Sequence, residues 1–349
     1  MSTSSEEGPA FKRHKSSPEL EGKNMSQAIV DIIADGDIFL ELISITGVDR
    51  KVSLRVSSHV LSISSPVFKS MLAHKASENV PLENEDEGAM VLLCNILHLQ
   101  NNKLPARIPS ELLYKLAVLA DKYHCTVAIG RTTVQWFDRL YNSKAALDTF
   151  KMIETTYILD EPTYFARFTE RWIRTEPIAN KFVIRSTDPN IRRLAVELHN
   201  RRHALLSGLR SDIDILIDPC SITFSKTARH YMDYAPGMAP DPPCPMCRVD
   251  EQAGTEYLGA LRDAHIWPAT VWLPTLGEIL DAIKEFRVPE YDDCDKCDFC
   301  EDTKPKFSLA VLMVKQMHEE RLWGLCIDCF KAGGLNAGEC RIEHSKPKL

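Results

Sequence analysis

Eight of the eleven cysteines lie beyond residue 240, and they are spaced in pairs. They read Cys244-x-x-Cys247, Cys294-x-x-Cys297-x-x-Cys300 and Cys326-x-x-Cys329, and the run closes on Cys340-x-x-x-His344. A two-residue spacer lets both sulfurs of a pair face one ion at about 2.3 Å, the zinc–thiolate distance. Cys340 and His344 stand at i and i+4, so one helical turn presents both from the same side. Four pairs supply eight ligands, enough for two tetrahedral structural zinc ions, with one of Cys294, Cys297 and Cys300 to spare. His230, His265 and His318 are reserve ligands. No apolar signal core opens the chain, so an intracellular, reducing compartment is expected, where clustered cysteines favour metal over disulfides. Redox-active or free thiols, and disulfides, are the competing readings of the same pattern.

Little else in the chain points to chemistry. Cys94, Cys125 and Cys220 sit among apolar residues and read as core thiols. His59, His98 and His124 lack a nearby nucleophile or carboxylate pattern and read as structural. There is no Gly-rich phosphate loop, no G-x-S-x-G and no H-E-x-x-H. Zinc closed by four protein ligands leaves no open coordination position, so no catalytic residue is assigned and a non-enzymatic protein is expected. Net charge is −7, and the segment from Asp241 to Leu349, with 20 acidic and 13 basic residues, accounts for all of it. Nucleic-acid binding normally needs a basic footprint, so no nucleic-acid partner is expected at the cysteine-rich end. No apolar run approaches the ~18 residues of a membrane span, and no membrane partner is expected.

The elements that must position the cysteines follow from periodicity. Residues 1–24 are rich in Ser, Glu, Lys and Pro and read as a disordered tail. Its Lys12-Arg13-His14-Lys15 run is either a nuclear import signal or, the favoured reading, a solvated basic patch. Ile29, Ile32 and Ile33 suggest a leading amphipathic helix over Met25 to Asp35. Two β-like runs follow, at Asp37–Leu42 and Lys51–Val56. In Ser57–Leu72, apolar residues at Val60, Leu61, Ile63, Val67, Phe68, Met71 and Leu72 predict two short helices with one buried face. Ser65-Pro66 marks their join, with Ser65 as N-cap. Residues 127–140 read as a helix with Trp136 and Phe137 on its apolar side. Residues 146–217 read as helical throughout. The last of these helices spans about Asn190 to Leu216, with Leu194, Val196, Leu198, Leu205, Leu206 and Leu209 inward. Arg192, Arg193, Arg201, Arg202 and Arg210 are read as its solvated face. Ala235–Pro245 holds five prolines and is neither helix nor strand. Short helices are expected at Leu258–His265 and Leu276–Phe286.

The stretch His59-x-Leu-x-x-x-Ser65-Pro-Val-Phe-Lys-Ser-Met-Leu, with the strands before it and Leu116-Ala-Val-Leu-Ala-Asp-Lys-Tyr-His-Cys after it, resembles a BTB/POZ domain. The whole chain is similar to BTB-containing proteins of filamentous fungi. The resemblance covers roughly a third of the chain and implies a fold that mediates homo- or hetero-association and, in some members, docks a cullin scaffold. Among the cysteines, Cys297/Cys300 with Cys326/Cys329 would resemble a zinc ribbon or treble clef, and Cys244/Cys247 with Cys340/His344 would then close the subdomain. A RING-like cross-brace is the alternative, although the 46 residues between Cys247 and Cys294 are long for it and no internal Cys-x-His occurs.

The sequence therefore predicts an α+β chain: a BTB/POZ domain over 25–142, a helical region over 143–218 and a cysteine-rich, zinc-stabilised subdomain over 219–349. The expected function is non-enzymatic protein–protein interaction, with a homodimer formed through the BTB domain. Rival readings are a substrate adaptor of a cullin-type ubiquitin ligase, a ligase with its own RING-like domain, and a transcriptional regulator.

Overall fold

A computed structural model gives the fold and describes residues 27–43, 51–73, 78–143, 147–178, 186–232, 247–268, 272–290, 303–334 and 339–343. The chain is α+β, with one small mixed sheet and a majority of helix. Strands β1 (Gln27–Asp31), β2 (Ile38–Ile43), β3 (Lys51–Val56) and β4 (Asn79–Glu83) lie in the order β1-β3-β2-β4. β2 and β3 are antiparallel, with Leu40 opposite Leu54, while β1 runs parallel to β3 and β4 parallel to β2. Alternate side chains point one way, so Ile38, Leu40 and Leu42 meet Val52, Leu54 and Val56 in the core.

The leading segment is a strand, not the expected helix. Its Ile29-Val30 step is β-branched, and β3 offers it a parallel ladder of backbone partners. Ile32 and Ile33 lie beyond the strand, in a bend, and the three differ in exposure: Ile32 is buried and Ile29 is 55% exposed. They form no common face.

The helix pair is α1 (Ser58–Ser64) and α2 (Pro66–Ala73). Ser65 Oγ accepts from the Phe68 N–H at 3.0 Å, capping α2 as anticipated, and donates to the Tyr123 carbonyl at 2.5 Å. Leu61 and Phe68 are fully buried. The rest of the expected face is not: Ile63 and Met71 are exposed, and Val60, Val67 and Leu72 are half-buried. Two helices this short turn only a narrow stripe inward.

Helices α3 (Glu87–Leu97), α4 (Ser110–Lys122) and α5 (Thr126–Tyr141) complete the N-terminal unit. Asp86 caps α3, its Oδ1 accepting from the Ala89 N–H and its Oδ2 from Lys115 Nζ. Phe68 stacks on Tyr123, ring centroids 4.3 Å apart, and Tyr123 donates to Glu85, so the acidic loop is pinned against the end of α4. His98 ties α3 to α1: its Nδ1 meets the Cys94 carbonyl at 2.8 Å and its Nε2 accepts from the Ser57 N–H at 3.0 Å. Cys94 and Cys125 are buried here, their thiols pushed up to about 12 by desolvation, as core thiols should be. The Cys220 side chain lies outside the described residues. His59 and His124 are exposed.

α6 (Thr149–Ile158) and α7 (Pro162–Thr175) pack on α4 and α5 through Met152, Ile153, Phe165, Phe168 and Trp172. α8 (Pro189–Met232) is 44 residues long, extending well past Leu216 and across the expected boundary at 218/219. Leu194, Leu198, Leu206 and Leu209 are inward, but Val196 is 48% exposed. The arginines of α8 are not simply a solvated face. Arg202 is buried and donates to the carbonyls of Glu176 and Ile178. The guanidiniums of Arg193, Arg201 and Arg210 lie over the rings of Phe330, Trp323 and Trp272, at 4.3, 4.1 and 5.5 Å. Aromatic rings meeting one helix at intervals attract the cations that face them.

Among the described residues, α9 (Cys247–Asp263), α10 (Leu276–Glu285), α11 (Thr303–Arg321) and α12 (Ile327–Lys331) follow. Among the described residues these do not stand apart from the helical layer. α11 lies along α8, while α10 and α12 lie on α7. Tyr257 stacks on Phe307 at 4.2 Å and meets Phe286 edge-on. The interval from Cys300 to Cys326 contains the 19 residues of α11. Among the described residues, no helix is long and apolar enough to cross a membrane.

Candidate metal centre

The chain leaves α11 and presses against α7. Leu325 N–H donates to Thr169 Oγ1 at 2.8 Å, and Gly324 passes so close to the Ala166 carbonyl that a Cβ would lie 1.8 Å from its oxygen. Only glycine permits that approach. Trp323, under Arg201, holds the same segment to α8. Cys326 then starts α12, whose Ile327 and Phe330 are buried; Phe330 meets Tyr157 of α6 edge-on at 5.8 Å. Arg193 donates to the Phe330 carbonyl at 3.0 Å. The helix stops at Gly333, φ +86°, whose left-handed turn lets the Gly333 and Gly334 N–H groups bond the carbonyls of Phe330 and Cys329.

This turn sends the chain back, and Cys340 returns to the pair. The sulfurs of Cys326, Cys329 and Cys340 all lie within 4.8 Å of one another, and Cys329 and Cys340 are 3.4 Å apart. Four thiolates around zinc at about 2.3 Å lie about 3.8 Å apart by tetrahedral geometry, so small side-chain shifts bring three sulfurs onto one ion. Cys326 and Cys329 are buried and Cys340 is half-buried. The Cys340 thiol is pushed up to about 12, first by its hydrogen bond with Cys329, then by desolvation and by Cys326. A metal ion bound by cysteines displaces the thiol protons, because its charge stabilises the thiolates. The three cysteines can hold a metal ion.

The sulfur of Cys340 lies beside those of Cys326 and Cys329, whereas the sequence reading grouped it with Cys244 and Cys247, whose side chains lie outside the described residues. Ten residues lie between Cys329 and Cys340, and closing so short a loop costs less conformational entropy than reaching a pair more than 90 residues back. Cys244, Cys294, Cys297, Cys300 and His344 lie outside the described residues. Cys247 opens α9, with its side chain likewise outside them. Of the reserve histidines, His265 is exposed and is not among the groups gathered here, and the side chains of His230 and His318 lie outside the described residues.

Sequence reasoning missed the residues that seat this turn. Arg341, beside Cys340, donates to Asp160 and Asp328, and Lys331 donates to Asp160. The C-I-D-C and C-R steps carried a faint signal, an acid and a base each next to a clustered cysteine, but nothing local pointed to Asp160. Protein-family models give no match to this chain, and a search of the curated proteins gives none.

Proposed function

We propose that the chain is a non-enzymatic interaction protein, in which a BTB/POZ-type N-terminal unit associates with a second copy or docks a protein partner. The observation that carries this reading is the order and pairing of elements in residues 38–141. An antiparallel β2–β3 hairpin leads into the Ser65-capped helix pair, β4 returns beside β2, and α3, α4 and α5 follow. That order is what the resemblance at Ser57–Leu72 and Leu116–Cys125 implies. In this reading the C-terminal part is fastened by structural zinc. Cys326, Cys329 and Cys340 hold one ion, with His344, four positions on in the sequence, as fourth ligand. The remaining cysteines, Cys244, Cys247, Cys294, Cys297 and Cys300, supply a second.

Sedimentation of the full chain over a range of concentrations tests the association. A dimer that persists to micromolar concentration, through a self-complementary patch, is the expected result. A monomer throughout the range, with no captured protein whose binding is lost when residues 25–142 are deleted, would refute it.

A further inference from the structure

We propose that Arg341, Asp160 and Asp328 are positioning residues of the thiol centre, so that the bound ion and the α6–α7 turn hold each other in place. The inference rests on the reading of Cys326, Cys329 and Cys340 as metal ligands.

The geometry links the chain neighbours of Cys329 and Cys340 to a common anchor. Asp328 lies in the spacer between Cys326 and Cys329. Its Oδ2 accepts from the Arg341 backbone N–H at 2.8 Å, and its Oδ1 accepts from Arg341 Nε and Nη2 at 2.9 and 2.7 Å. The residue after the third cysteine is thus gripped by the residue before the second. This fixes the main chain at 340–341 against α12 and sets the Cys329–Cys340 sulfur distance of 3.4 Å. The same guanidinium reaches across to the turn between α6 and α7, where both Asp160 oxygens accept from it, at 2.8 and 2.9 Å. Lys331, at the end of α12, adds a third donor to Asp160 at 2.5 Å.

A single exposed ion pair contributes little to stability. This is a planar fork bound by two carboxylates, with a backbone bond setting its register, which gives direction as well as attraction. Asp160 stands in the left-handed region, φ +54°, where Asp is among the better-tolerated residues, and its carboxylate is aimed from a turn closed by Asp160 N–H to Tyr157 and Glu161 N–H to Thr156. Outer partners that orient metal ligands commonly contribute 10–100-fold to affinity. By linkage, whatever the turn adds to metal binding, the metal returns to the order of the turn.

Cobalt(II) is the probe, bound to the full reduced chain and competed with a chelator, since sulfur-to-cobalt bands report thiolate ligands directly. Asp160→Asn and Arg341→Gln should each weaken binding by roughly 10–100-fold and lower the sulfur-to-cobalt intensity, with the double variant no worse than Arg341→Gln alone. Hydrogen exchange on the unmutated chain gives a second readout that no folding defect can confuse. Adding metal should slow exchange at the amides of Asp160 and Glu161. Unchanged affinity and spectra in both variants, or exchange at the turn indifferent to metal, would overturn the inference while leaving the metal reading intact. A wild-type chain that binds no cobalt would overturn both.

Discussion

Phe68 and His98 show how single residues hold the N-terminal unit together. Phe68 is wholly buried and stacked on Tyr123, and its backbone N–H is capped by Ser65. Phe68→Ala should cost about 3–5 kcal/mol through lost burial and the cavity left behind, read as a fall in the denaturation midpoint. His98 makes both of its bonds as a neutral ring, Nδ1–H to Cys94 and Nε2 from Ser57, and desolvation holds its pKa below the ordinary imidazole range. The unfolded chain therefore takes up the proton first as pH falls. Its contribution to stability should be complete above about pH 6.5 and decline below it, as the ring is forced to protonate and the Ser57 bond is lost. Melting curves between pH 5 and 8 should show that slope, and His98→Gln should flatten it. At this scale the sequence was informative where a residue acts on its near neighbours: Ser65 before Pro66, and Cys326 with Cys329. It was silent where the partner is remote, as with His98 and Ser57 or Arg341 and Asp160.

Among the elements, the segment from Leu322 to Lys331 is placed by α7 and α8 together. Gly324 lies against the Ala166 carbonyl, and Arg193 and Arg201 cover Phe330 and Trp323. Gly324→Ala should therefore push this segment off α7, at a cost of about 1–3 kcal/mol typical of overpacking, and loosen the thiol centre with it. Thermal melting paired with a cobalt titration checks both effects, and a variant unchanged in each would show that the close approach is dispensable. The helices of 149–175 were legible because Phe165, Phe168 and Trp172 recur at helical spacing on one face. The arginines of α8 misled for the opposite reason. Helical periodicity marks a polar face, but whether that face meets water or a ring depends on aromatics more than 60 residues away. The leading strand was misread because Ile29, Ile32 and Ile33 fit a helical face as well as a β-branched strand, and only pairing with β3 decides between them.

Across the whole molecule, the C-terminal third shares its core with the helical layer. Tyr257, Leu261, Phe307, Val311 and Val314 are buried, so α9 and α11 have apolar support that owes nothing to metal. The cysteine-rich subdomain that the sequence predicts therefore has packing over α9 and α11 besides any metal. Chelation should release residues 322–343, exposing them to protease, while α9 to α11 stay docked on α7 and α8. Limited proteolysis with and without chelator, mapped by mass, distinguishes local release from loss of the whole region. The most direct test of the account is the zinc content of the purified full chain under reducing conditions, compared with that of Cys326→Ser/Cys329→Ser. The account predicts about two ions per chain, falling to about one in the variant, by the four-ligand count. A wild-type chain that carries no metal, or a variant that retains its full complement, would contradict it.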